Sequence, residues 1–239
     1  MEWIWALVSA LVVGIGGWVG IILTSRTALV RGKREGADDF LRLILAGGYE
    51  TRTRAFKELN RIARPGGIVF VGDSITQDYP VWEYFPDLLV YNRGIGGDTT
   101  VGLKKRLEES IFELHPQIVV LLIGTNDLAL LKSTPETIAA NIRDIVVTIQ
   151  TRMPECRILL ESVYPVIPDG KEPPERDNAD ICRINALIST VPGVEFVDLH
   201  SQLCDDTGKL RTEYTVEGLH INQTGYAMIS HELRRRLKP

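Results

Sequence analysis

The sequence predicts an α/β domain built on a parallel sheet with helices on both faces, preceded by an N-terminal transmembrane helix. Three observations carry this. Short apolar runs recur at Ile68–Val71, Leu88–Tyr91, Ile118–Ile123, Ile158–Leu160 and Val194–Val197, and helical patterns alternate with them at about 99–110, 135–152, 178–189 and 222–237. Strands that read as continuous apolar runs are buried on both faces, and their alternation with helices implies parallel pairing. The stretch from Trp3 to Leu23 carries no charged residue, which is long enough to cross a bilayer as a helix.

The N-terminal stretch has Trp3, Trp5 and Trp18 near its ends, where indoles favour the membrane interface. A cleaved signal peptide would need a basic start and a small-residue cleavage site. This chain instead begins Met1-Glu2 and continues into Thr24-Ser25-Arg26. Residues 1–25 are therefore expected to be an uncleaved anchor in the lipid bilayer. Arg26, Arg31, Lys33 and Arg34 follow it and no cation precedes it, which places the remainder on the cytoplasmic side by the positive-inside rule.

Residues 26–65 read as a helical connector. Phe40, Leu41, Ile44, Leu45, Phe56, Leu59 and Ile62 are spaced on an amphipathic helix, with Gly47-Gly48 as a break, and it would pack on the domain or lie on the membrane surface. Residues 66–239 hold the α/β pattern. The helix at 135–152 is marked most clearly, by Thr134 as cap, Pro135 in the first turn and Glu136 after it. The segment Pro165–Asp177, rich in proline and charge, is long enough to shape an entrance.

Composition narrows function. The net charge of −4 over 239 residues gives no general affinity for nucleic acid. Cys156, Cys182 and Cys204 show neither metal-ligand spacing nor a disulfide framework. The open sheet also lacks a G-x-x-x-x-G-K-[ST] loop, which counts against a nucleotide site.

Four motifs remain: Gly72-Asp73-Ser74-Ile75-Thr76, Gly94-Ile95-Gly96-Gly97-Asp98, Gly124-Thr125-Asn126-Asp127 and Glu217-Gly218-Leu219-His220. The first three follow apolar strands, and ligands bind beyond the carboxyl ends of strands in open parallel sheets. Together they could supply a nucleophile (Ser74), oxyanion donors (the Ser74 and Gly97 amides and the Asn126 side chain), and a base with an acidic neighbour (His220 and Glu217). Each has a plainer local reading: Ser74 as a helix cap, Gly97 as a tight or phosphate-binding turn, Asn126-Asp127 as a chain reversal. Four histidines compete as base. His115 falls at the wrong sheet edge, His231 lies within the last helix, and His200 is the runner-up. His220 has an acid three residues before it, so that one imidazole nitrogen can be held while the other faces a serine.

With these residues in place the chain resembles the SGNH (GDSL-type) hydrolases, and within them the intracellular platelet-activating-factor acetylhydrolase group and its bacterial relatives. The resemblance spans roughly residues 66–237. It rests on Phe70-Val71-Gly72-Asp73-Ser74, Asn92, Gly94 through Thr100, Arg106-Leu107, Ile123-Gly124-Thr125-Asn126-Asp127, Leu219-His220 and Gly225-Tyr226. It implies a flavodoxin-like three-layer α/β/α sandwich and an acyl-serine mechanism with Ser74 as nucleophile, His220 as base and no metal or organic cofactor. The family's acid is usually Asp; here Glu217, one methylene longer, stands in its place.

The expected function is a membrane-anchored hydrolase of short-acyl, acetyl-like carboxylic esters. A lysophospholipase or thioesterase acting on longer chains is the alternative within the class. A catalytically silent binding domain is the alternative outside it.

Overall fold

The computed structural model describes residues 43–171 and 174–237. The uncharged stretch Trp3–Leu23 and its flanking cations lie outside the described residues. Among the described residues, no helix is long and apolar enough to cross a membrane. By its internal contacts the chain divides between Gly47 and Gly48, and the larger unit begins at Gly48.

Five strands form one parallel sheet: β1 (Ile68–Gly72), β2 (Val90–Gly94), β3 (Ile118–Leu122), β4 (Arg157–Glu161) and β5 (Glu195–Val197), in the order β2-β1-β3-β4-β5. Successive side chains of a strand point to opposite faces, and both faces here are buried. Val69, Val71, Val119, Leu121, Ile158 and Leu160 enter one core, under the helices at 100–110, 135–152 and 178–188. Ile68, Phe70, Ile118, Val120, Leu122 and Leu159 enter the other, under the helices near Ile75, Val81, Leu203 and Ile229. This is the three-layer sandwich expected from the apolar runs.

Among the described residues the α-helical segments are α1 (43–60), α2 (Ser74–Gln77), α3 (Val81–Tyr84), α4 (Thr100–Lys105), α5 (Leu107–Ser110), α6 (Pro135–Arg152), α7 (Asn178–Ile188), α8 (His200–Leu203) and α9 (Gln223–Arg234). The helix expected at 135–152 has the expected bounds, its Thr134 side chain accepting from the Thr137 amide. Three expectations are corrected. Gly47 and Gly48 are helical rather than a break; glycine costs a helix interior only about 1 kcal/mol against alanine. The stretch 99–110 is two short helices, because Arg106 leaves helical geometry (φ −120°, ψ 19°) and its side chain turns into the core. The second strand begins at Val90 rather than Leu88, in the register that pairs it with Ile68.

Within the larger unit, residues 48–60 pack on the sheet's β2 side. Phe56 is buried, the Arg52 Nε donates to the Gly94 carbonyl at 2.9 Å, and the Asn60 Nδ2 donates to the Glu109 carbonyl at 2.7 Å. This part of the expected connector is therefore seated on protein. The sheet register then brings the motifs together: Gly72 is level with Gly94 on one side and with Leu122 on the other. The loops carrying Ser74, Gly97 and Asn126 consequently leave the same carboxyl edge.

Candidate active site

Ser74 opens α2 directly after β1. Its predecessor Asp73 is the cap, its buried carboxylate accepting from the Ile75 amide at 3.0 Å. The plain reading of Ser74 as a cap is therefore corrected: Asp73 caps this helix, and the Ser74 hydroxyl is turned to a different partner. Burial pushes the Asp73 carboxyl up to about 7, against the Ile75 hydrogen bond and the pull of Arg176 and His220.

That partner of Ser74 is His220, whose Nε2 lies 2.9 Å from the Ser74 Oγ. The other imidazole nitrogen, Nδ1, lies 2.5 Å from Oε1 of Glu217. The turn bearing both residues is closed on itself. The Thr215 hydroxyl donates to the His220 carbonyl at 2.7 Å and accepts from the Gly218 amide at 2.8 Å. Thr215 also pairs with Ile221 as an antiparallel bridge. Gly218 takes φ +98°, and a side chain there would meet Ile167 at 3.0 Å. This position requires glycine, and the close approach seats the turn on the loop at Ile167, whose amide donates to the Gly218 carbonyl at 2.8 Å. The site is open to solvent: the His220 and Glu217 side chains are 34% and 49% exposed.

The loop after β2 forms a tight turn, with the Asp98 amide donating to the Ile95 carbonyl at 3.1 Å and Gly97 at φ +73°. It packs on α2, since the Ile95 amide donates to the Gly72 carbonyl and the Gly96 amide to Gln77 Oε1 at 2.9 Å. Among the described residues neither the Ser74 nor the Gly97 amide has an acceptor. Asn126 is buried beside this loop, its Nδ2 donating to the Asp98 carbonyl at 3.0 Å.

A buried layer holds these loops. Arg106 is fully enclosed and donates to Asp98 Oδ2 (2.7 Å), the Arg93 carbonyl (2.8 Å), the Ser110 hydroxyl (2.8 Å) and the Gly72 carbonyl (2.8 Å). It thus ties the ends of β1 and β2 to the Gly97 turn. Asp127 accepts from the Thr100 amide at 2.9 Å and the Thr100 hydroxyl at 2.5 Å. Sequence reasoning missed Arg176, whose Nη2 donates to Asn126 Oδ1 at 2.9 Å and whose Nε donates to the Thr125 carbonyl and hydroxyl at 3.2 and 3.1 Å. Its only signal in the sequence is its place in the charged segment 165–177, which also holds other ionic residues.

The competing histidines sit elsewhere. The runner-up, His200, contacts the sulfurs of Cys204 (3.6 Å from Nδ1) and Cys182 (3.8 Å from Nε2). All three cysteines are free. His115 is in left-handed backbone (φ 45°) before β3, and His231 is in α9. Among the described residues, no group of three or more His, Cys, Asp or Glu side chains could hold a metal ion.

A serine hydroxyl against an imidazole, with unpaired amides grouped at one sheet edge, is an arrangement suited to acyl transfer. The fold and this grouping define the chain as a carboxylic-ester hydrolase. It belongs to the GDSL-like Lipase/Acylhydrolase family, whose model matches residues 70–228. It is 32% identical over 183 residues to the platelet-activating factor acetylhydrolase IB subunit alpha2 of Homo sapiens, covering 71% of this chain and 76% of that one. A solved structure from Streptococcus pneumonia, named for platelet activating factor, superimposes with a TM-score of 0.77 at 31% identity, covering 84% of this chain and 98% of the other. The lipase/acylhydrolase from Enterococcus faecalis gives a TM-score of 0.59 at 28% identity, with 73% and 98% covered.

Proposed function

We propose that this chain is a membrane-anchored serine esterase that cleaves short-acyl, acetyl-like carboxylic esters through an acyl-serine intermediate. The observation that carries the catalytic part is the continuous chain from Glu217 Oε1 through the His220 ring to Ser74 Oγ, at 2.5 and 2.9 Å. The His220 Nε2 takes the Ser74 proton as Oγ attacks the ester carbonyl. The tetrahedral oxyanion is held by the Ser74 and Gly97 amides and the free Asn126 N–H. The same proton is then passed to the leaving alkoxide, which departs as alcohol. Water, deprotonated by His220, releases the acid and restores Ser74. Glu217 keeps the imidazole oriented and balances its charge.

Two points support the short-acyl reading. The similar mammalian protein is named an acetylhydrolase. Three aromatic side chains are engaged otherwise than in a long apolar groove: Phe85 and Tyr164 are buried in the core, and the Tyr84 hydroxyl donates to the Gln223 carbonyl. The membrane part rests on the uncharged Trp3–Leu23 stretch and the cations after it. Residues 1–25 are the anchor, 26–65 the connector and 66–239 the hydrolase domain, on the cytoplasmic side.

The test is hydrolysis of p-nitrophenyl esters from acetyl to long acyl by the full chain in detergent, beside Ser74→Ala. Turnover confined to short chains and lost in the variant is the expected result. A preference for long chains would replace the short-acyl reading with the lysophospholipase or thioesterase one. Fractionation with alkaline extraction tests the anchor, and release of the protein into the soluble fraction would sink it.

A further inference from the structure

The Arg176 guanidinium and the Asn126 carboxamide are joined in a way the hydrolytic scheme above does not use. A primary amide has one acceptor oxygen and two N–H groups, and it can turn over to exchange them. In Asn126 the oxygen accepts from Arg176 Nη2 at 2.9 Å, and Nδ2 spends one N–H on the Asp98 carbonyl at 3.0 Å. One N–H remains. The flipped amide would face the guanidinium with N–H groups and the Asp98 carbonyl with its oxygen, so both contacts would become repulsive. Arg176 is itself fixed by a second hold, its Nε donating to the Thr125 carbonyl and hydroxyl. The guanidinium therefore grips two successive residues at the end of the third strand.

We propose that Arg176 is a positioning residue for the oxyanion hole: it locks the Asn126 carboxamide with its free N–H toward the developing oxyanion and polarises that donor with its charge. This rests on the reading of Asn126 as an oxyanion donor. A hydrogen bond from a cation to the amide oxygen draws electron density from the amide nitrogen, which strengthens the remaining N–H as a donor. Arg176 is half-buried, so water screens its charge less than at an open surface. Burial draws its pKa down, and the carboxylates of Asp73, Glu175 and Asp169 push it back up. The segment 165–177 that bears Arg176 also contacts the His220 turn, through Ile167 and Gly218. One loop thus touches both halves of the site, and Arg176 is its link to the oxyanion side.

The experiment is a double-mutant cycle read without any natural substrate. The probe is an alkyl fluorophosphonate. It reacts as the Ser74 Oγ–P bond forms and the P–F bond breaks, fluoride leaving while the serine proton passes to His220. The phosphoryl oxygen occupies the oxyanion position. Second-order labelling rates are compared for the full-length parent, Asn126→Ala, Arg176→Ala and the double variant, with thermal melts confirming that each is folded.

Asn126→Ala is expected to slow labelling about 100-fold, the usual loss for one oxyanion donor. Arg176→Ala should slow it about tenfold, in the range of coupling between contacting residues. The double variant should be no slower than Asn126→Ala alone, because Arg176 acts only through that amide. Guanidinium ion at non-denaturing concentration should restore part of the rate to Arg176→Ala and none to the double variant.

If the two losses multiply in the double variant, Arg176 does not work through Asn126 and the proposal is overturned. The same holds if Arg176→Ala labels at the parent rate. If Asn126→Ala itself labels at the parent rate while Ser74→Ala does not label, the oxyanion reading of Asn126 falls, and the role of Arg176 falls with it.

Discussion

One carboxylate oxygen of Glu217 holds His220 at two points: Oε1 lies 2.5 Å from the ring nitrogen Nδ1 and accepts the His220 backbone amide at 3.1 Å. The acid folds back over its own turn, and the extra methylene relative to aspartate is absorbed there. The glutamate that looked like a departure from the family's pattern therefore reaches its histidine.

If that contact orients the imidazole, Glu217→Gln should lower kcat by about 100-fold or more with KM little changed, since the amide can present a donor to Nδ1 and favour the wrong tautomer. Glu217→Asp keeps the charge on a shorter arm and should fall between the two. Steady-state kinetics on p-nitrophenyl acetate would decide. A Gln variant as fast as the parent would remove Glu217 from the mechanism.

Gly218→Ala addresses the same turn through its backbone. The position has φ +98°, and an added Cβ would meet the Ile167 Cβ at 3.0 Å and its carbonyl at 3.3 Å. Left-handed backbone costs a non-glycine residue about 1–2 kcal/mol. The strain is local to the turn that carries Glu217 and His220, so activity should fall at least tenfold while the melting temperature drops only a few degrees. Equal activity in the two proteins would show that the turn tolerates displacement.

Arg106 is expected to matter for stability first. Its side chain is 0% exposed and that of its partner Asp98 is 2% exposed. Arg106→Met would remove four hydrogen bonds and leave Asp98 buried beside no cation, a loss of about 3–5 kcal/mol when one member of a buried pair is deleted. Urea denaturation measures it. A loss under about 1 kcal/mol would mean that water reaches Asp98 and replaces the guanidinium.

Glu161 offers a pH test away from the reacting atoms. It is buried among Phe70, Val120, Leu122 and Tyr226, and accepts from the Tyr164 hydroxyl at 2.7 Å. Burial pushes its pKa up to about 7, opposed by the Tyr164 hydrogen bond, with the Asp73 charge adding to the rise. An unfolded glutamate ionises near about 4.3. Between those two values the native state keeps a proton that the unfolded state has lost. Stability from this group is therefore greatest below about pH 4, declines as pH rises to about 7, and is level above that. Glu161→Gln never ionises and escapes the decline. Its melting temperature should exceed the parent's at pH 8, with the advantage shrinking toward pH 5. Asp73, raised in the same way, is present in both proteins; because its charge couples to that of Glu161, the variant removes this coupling together with the Glu161 titration. An advantage independent of pH would refute the buried-carboxyl account.

Much of this protein was legible in the order of its residues. Apolar runs mark strands buried on both faces, and β1, β3, β4 and β5 lie within a residue or so of those runs. Caps and first turns are local chemistry, so α6 and α7 could be bounded from Thr134-Pro135 and from the start of the pattern near Asn178. The residue types at the ends of β1, β2 and β3 could be read in the same way, because a parallel sheet gathers them at one edge. Local pattern did not reveal the split at Arg106 or the shift in β2. Each depends on a partner distant in sequence: Arg106 on Asp98 and Gly72, β2 on the register of β1.

What the sequence by itself determined, then, is the layered α/β plan, the order of its elements and the set of groups able to do ester chemistry. Only the tertiary structure decided which of those groups meet. Ser74 and His220 are 146 residues apart in the chain, and the path of the turn before α9 brings them to 2.9 Å. The same folding takes His200 to Cys182 and Cys204, and carries Arg176, one of several ionic residues in the loop 165–177, to the amide of Asn126. The physical reason is range. Propensity, capping and periodicity act over a few residues, whereas a site is assembled by sheet register and loop path, which are set by the packing of the whole domain.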